Sequence, residues 1–97
     1  MTVRVLIVED EKLIRWSLRQ KFEARGYTVT DAETGAEGLA AVDADIYDLI
    51  MLDYRLPDMT GLDVLRTVRE QDGDIVVIMM TAFSSIESAV DAIKLGA

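Results

Sequence analysis

The 97-residue chain has no cysteine and no histidine. Missing cysteine excludes disulfides and thiolate metal sites. With histidine absent too, the only metal ligands left are oxygens, which suit Mg2+, Ca2+ or Mn2+ and not zinc. A chain without cysteine fits a reducing compartment, so a cytoplasmic location is expected. Positive charge is scarce: 10 Lys and Arg stand against 18 Asp and Glu, a formal net charge of -8. Such a surface repels phosphate, and no direct nucleic-acid binding is expected of this segment. Long apolar runs are missing as well. The longest is the six residues Ile75 to Met80, far below the ~20 needed to span a bilayer. Met1-Thr2-Val3-Arg4 leads straight into a strand and then acid, so neither a membrane span nor a secretory leader is expected.

What is present is an alternation of strand-like and helix-like segments within a length that supports one core. Val3 to Val8 reads as a strand, and Leu13 to Glu23 follows a helical period with Ile14, Leu18 and Phe22 as the stripe toward a sheet. Gly26 supplies a stop. Tyr27 to Thr30 is a second strand. Thr34-Gly35-Ala36-Glu37 has the form of a reciprocal helix cap and opens a helix from about Gly35 to Val42, with Leu39 and Val42 inward. Tyr47 to Leu52 is a third strand, apolar enough to be covered on both faces. Thr60 caps a third helix carrying Leu62, Leu65 and Val68 inward. Ile75 to Met80 reads as a fourth, central strand. Ser84-Ser85-Ile86-Glu87 opens a fourth helix with Ile86, Ala89, Val90 and Ile93 inward. Four successive β-then-α units predict an open parallel sheet with right-handed crossovers and helices on both faces.

Three of these strands end in a polar side chain: the first in Glu9-Asp10, the third in Asp53, the fourth in Thr81. In an open parallel sheet those ends share the edge where ligands bind. Carboxylates about 5 Å apart repel by roughly 3 kcal/mol per pair at an effective dielectric of about 20, so three pairs approach ~10 kcal/mol. That rivals the stability of a small domain, and a hard divalent cation such as Mg2+ relieves it best. The same cation would let a carboxylate attack a phosphoryl group, an anion meeting an anion. Blander roles exist: acids before a helix stabilise its N-terminus, and Asp53 could merely open the turn that Pro57 closes. Capping accounts for one acid, not for a pair plus Asp53. Trp16 lies opposite the inward stripe and is expected to be partly exposed; Met51, Met79 and Met80 read as core filler.

Ile7-Val8-Glu9-Asp10-Glu11, then Asp53 after Leu49-Ile50-Met51-Leu52, then Leu56-Pro57-Asp58-Met59-Thr60-Gly61, then Met80-Thr81-Ala82 together resemble the receiver domain of two-component response regulators. The resemblance runs the whole length. It implies a flavodoxin-like strand order 2-1-3-4-(5), with Asp53 as phosphoacceptor for a sensor histidine kinase. Glu9, Asp10, Asp53 and the backbone carbonyl of Arg55 would hold Mg2+, and Thr81 would be the switch hydroxyl. Lys12 does not match the family's phosphate-clamping lysine, which ends a fifth strand, so residues 1–97 resemble four of five βα units and are expected to be a C-terminally incomplete receiver. A bare apolar edge is a pairing hazard, and a dimer or strand swap through Ile75 to Met80 is expected of the segment alone. Ile14-Arg15-Trp16-Ser17-Leu18 and the stretch from Thr81 to Ala97 look most like receivers of enhancer-binding activators. In that class an ATPase and a helix-turn-helix output domain follow.

Two other classes share the architecture, because fold alone does not decide chemistry. A phosphotransferase or phosphatase with an aspartyl intermediate would ordinarily carry a second carboxylate two residues after the nucleophile, where this chain has Arg55. A flavodoxin-like cofactor binder would need hydroxyls and glycines in place of Glu9-Asp10-Glu11-Lys12, since three acids repel phosphate. The expectation is therefore a signalling module, not a turnover enzyme, with transcription regulation as its output.

Overall fold

A computed structural model describes residues 2–80. The elements are β1 (Arg4–Val8), α1 (Lys12–Ala24), β2 (Thr28–Ala32), α2 (Gly35–Ala44), β3 (Leu49–Asp53), α3 (Gly61–Gln71) and β4 (Val76–Met80). All strand pairings are parallel, and the order is β2-β1-β3-β4, as expected for the flavodoxin-like arrangement. The fourth helix and Thr81 lie outside the described residues.

Alternation along the strands sorts the core into two layers. Leu6, Val8, Ile50, Leu52 and Val77 point to one side, where Val64, Leu65 and Val68 of α3 and Leu39 and Val42 of α2 pack on them. Val5, Ile7 and Val29 point to the other, against Leu18 and Phe22 of α1. β1 is covered beyond Arg4, with Val5, Leu6, Ile7 and Val8 at 0% exposure. Burying each such side chain contributes ~1.5–3 kcal/mol, so the central strand anchors both layers. Gly26 ends α1 at φ 83, a left-handed conformation that any side chain would resist. Thr60 and Asp63 cap α3 reciprocally, Thr60 Oγ1 accepting from the Asp63 amide while the Asp63 carboxylate accepts from the Thr60 amide.

Three expectations are corrected. Ile14 does not join the inward stripe; it is 44% exposed, and the residue of α1 that is buried is Arg15. β2 runs on through Asp31 and Ala32, because these pair with Ile7 and Val8 and the ladder outweighs their weak strand preference. Glu37 does not close a reciprocal cap with Thr34. Thr34 Oγ1 accepts from the Glu37 amide at 3.1 Å, but the Glu37 carboxylate reaches back to the amide of Glu33 at 2.7 Å. β4 is outermost among the described residues, as the order 2-1-3-4-(5) implies for them, with Val76 and Ile78 57% and 46% exposed. Trp16, at 58%, is exposed as expected.

Candidate acidic site at the carboxyl edge of the sheet

The register of β1 and β3 builds the site. Val8 pairs with Leu52, so the residues one step further, Glu9 and Asp53, arrive level at the carboxyl edge. Glu9, Asp10 and Asp53 each offer a carboxylate oxygen, and these oxygens lie within 4.8 Å of one another. Glu9 is only 3% exposed, Asp53 half-buried and Asp10 exposed. The Glu9 amide extends the sheet by donating to the Ala32 carbonyl at 3.0 Å, and its Oε1 accepts from the Glu11 amide at 3.0 Å. The N-cap of α1 is Glu11, with no side-chain capping bond. Asp10 is therefore not the helix cap, and Glu9 reaches only the amide of the N-cap residue itself.

Asp53 is the last residue of β3 and pairs with Met80 of β4. Its Oδ1 accepts from the Arg55 amide at 3.3 Å, the contact of a side chain that opens a turn. Turn opening and membership of the acidic cluster thus coincide in one residue. The turn closes through an Arg55–Thr60 bridge and a 2.6 Å bond from the Gly61 amide to the Tyr54 carbonyl. Gly61 is required here: a Cβ at that position would lie 2.3 Å from the Asp53 carbonyl oxygen. Opposite, Asp58 accepts from the amides of Gly35 and Ala36 at 2.8 and 2.9 Å, tying this turn to the start of α2. Those two amides hold the Asp58 carboxyl below its ordinary range.

Crowding shows in the protonation equilibria. Burial, followed by the charge of Asp53, pushes Glu9 up to about 7, against the opposing Glu11 amide. Asp53 is also raised, first by burial and then by Asp10, with the Arg55 amide pulling the other way. Carboxylates held so close in a half-buried edge favour either a proton or a cation among them. Three hard oxygens and no nitrogen or sulfur donors fit Mg2+, Mn2+ or Ca2+.

Of the residues singled out in the sequence, Glu9, Asp10 and Asp53 are brought together, and Arg55 lies in the turn bonded to Asp53. Thr81 lies outside the described residues. Two residues at the site carry no local signal of their role. Arg15 reads as an ordinary surface arginine of a helix, and Asp58 as a turn residue, because their partners lie in other elements.

An open parallel sheet of this order with an acid cluster at its carboxyl edge is the arrangement of a receiver domain. Residues 5–97 match the family model described as the response regulator receiver domain, and the chain belongs to that family. It is 43% identical to an uncharacterized transcriptional regulatory protein, YkoG, of Bacillus subtilis over 96% of this chain and 41% of that protein. The chain thus spans about two fifths of the length of the curated relatives it matches. A CheY-like receiver from Methanospirillum hungatei superposes with a TM-score of 0.97 at 35% identity, covering 100% of this chain and 78% of that one. The Thermotoga maritima response regulator TrrA, solved with Mg(2+)-BeF, gives 0.86 at 34% identity over 94% of this chain and 79% of that one. Among the described residues no helix is long and apolar enough to cross a membrane.

Proposed function

We propose that this receiver accepts a phosphoryl group from a sensor histidine kinase onto the carboxylate of Asp53. The observation that carries the reading is the convergence of Glu9, Asp10 and Asp53 within 4.8 Å at the end of β1 and β3. Glu9, Asp10, Asp53 and the carbonyl of Arg55 would hold Mg2+, an ion also present in the TrrA structure. When bound, the ion neutralises the attacking and transferred anions. The chain's own part is positioning. The Arg55 amide orients the Asp53 carboxylate, the ladder to β4 fixes its main chain, and Gly61 leaves room for the turn behind it. One Asp53 oxygen forms a bond to phosphorus as the donor's phosphorus–nitrogen bond breaks, the electron pair leaving with the imidazole.

Phosphorylation would then bias a two-state arrangement, with Thr81 as the hydroxyl drawn toward the modified carboxylate. Transcription regulation through an output domain outside this segment is the role we assign, in keeping with the name of the Bacillus relative. The enhancer-binding arrangement rests on the resemblance of segments 14–18 and 81–97. We assign the protein to the cytoplasm, with no nucleic-acid contact by residues 1–97 and no sustained turnover, since Arg55 stands where an aspartyl-phosphate enzyme places its second acid. A small acyl-phosphate donor with Mg2+, read by intact mass, tests the assignment. A stoichiometric phosphoryl adduct is expected, lost in Asp53→Asn; labelling unchanged by that substitution overturns it.

A further inference from the structure

Among the described residues, the buried polar or charged residues are Glu9 and Arg15, and the Arg15 guanidinium meets the main chain of Glu9. Arg15 Nη1 donates to the backbone carbonyl of Glu9 at 2.8 Å and approaches that of Asp10 at 3.4 Å. Nη2 donates to Glu33 Oε1 at 3.1 Å, in the turn between β2 and α2. The guanidinium therefore grips the main chain that carries the two acids, and Glu33 anchors it from a neighbouring element. Only a rigid planar fork bridges such a set; a lysine ammonium reaches part of it. Withdrawing a guanidinium from water is costly, and its ion pair with the largely exposed Glu33 offsets little of that cost. Retaining the cation here points to a task other than stability.

We infer that Arg15 is a positioning residue for the divalent cation, holding the Glu9 and Asp10 carbonyls so that both carboxylates stay directed at the point they share with Asp53. The inference rests on the Mg2+ site proposed above. Loss of an outer partner that orients metal ligands lowers metal affinity by about 10–100-fold. The sign separates this role from simple electrostatics. Arg15 is a positive charge beside a cation site, so deleting it by charge alone would strengthen Mg2+ binding, whereas loss of positioning weakens it.

The test is the Mg2+ dissociation constant by calorimetry for the wild type, Arg15→Gln, Arg15→Lys, Glu33→Gln and Asp10→Asn, with urea unfolding in EDTA run alongside. Arg15→Gln is expected to bind Mg2+ about tenfold more weakly, with Arg15→Lys between it and the wild type although its charge is kept. Arg15→Gln that is folded and binds Mg2+ as tightly as or more tightly than the wild type overturns the inference. So does a loss of urea stability with an unchanged dissociation constant. If Arg15→Gln does not fold, the comparison of Arg15→Lys with the wild type decides in the same way. A wild type that binds no Mg2+, or an Asp10→Asn variant that binds it normally, removes the metal site itself; normal wild-type binding with indifferent Arg15 variants removes only the role of Arg15.

Discussion

Replacing Asp53 by asparagine should stabilise the metal-free protein and destabilise it relative to the wild type once Mg2+ is added. At 4.8 Å and an effective dielectric of about 20, each carboxylate pair in the cluster repels by ~3.5 kcal/mol. Asp53 takes part in two such pairs, but Asp10 is exposed and water screens its charge. A net gain of ~2 kcal/mol at pH 8 in EDTA follows, because Asn keeps an oxygen for the Arg55 amide while shedding the charge. For a domain of this size that is a rise of roughly 10 °C in Tm. The gain should shrink near pH 6, where Glu9, held near 7, is largely protonated and one repelling pair is gone. Saturating Mg2+ should reverse the order: at 100 times its Kd a ligand adds ~2.7 kcal/mol to the wild type, most of which the variant forgoes. Urea unfolding by circular dichroism at pH 6 and 8, with EDTA or Mg2+, gives all four numbers. An Asp53→Asn variant no more stable than the wild type at pH 8 in EDTA, or one that gains as much as the wild type from Mg2+, would refute the view that Asp53 sits in a strained cation-seeking cluster.

Two further outcomes follow from the same geometry. Glu9 binds its proton more tightly folded than unfolded, so between about 4.5 and 7 the native state holds a proton that the unfolded chain has released. Its contribution to stability therefore falls as pH rises through that window, by ~1–2 kcal/mol after screening. Glu9→Gln should flatten this part of the pH–stability curve in EDTA and leave stability near pH 4.5 unchanged; an unaltered slope would count against it. Gly61→Ala places a methyl 2.3 Å from the Asp53 carbonyl oxygen, and a shift of the turn costing ~1–3 kcal/mol is expected, seen as a lower urea midpoint together with weaker Mg2+ binding.

The legible parts of this molecule are those whose cause is local. Val5 to Val8 and Leu49 to Leu52 are apolar because they form the covered middle of the sheet, and the acids that follow them mark its carboxyl edge. The helix stop at Gly26 and the cap at Thr60 are likewise matters of a few adjacent residues. What the pattern conceals depends on partners far along the chain. Ile14 fits the helical stripe, yet it is exposed, and the residue of α1 that is buried is its neighbour Arg15. Arg15 is buried because carbonyls of Glu9 and Asp10 and the carboxylate of Glu33 surround it, and no periodicity encodes that. Asp58 meets the amides of Gly35 and Ala36 across 23 and 22 residues. Asp31 and Ala32 become strand only because β1 lies alongside.

The β1–β3 ladder also sets the order in which the molecule can come into being. Leu6 finds its β2 partner at Thr30 soon after emerging from the ribosome, but its other partner, Ile50, is far downstream. At translation rates of about 5–20 residues per second, the roughly forty residues between them take ~2–9 s. Through that interval β1 has one bare flank, and Glu9 and Asp10 wait without Asp53. The acid cluster is thus assembled late and against its own repulsion, by strand pairing that must be strong enough to close it. A divalent cation bound at the proposed site would favour that closing step, and would then take part in folding as well as in the proposed signalling.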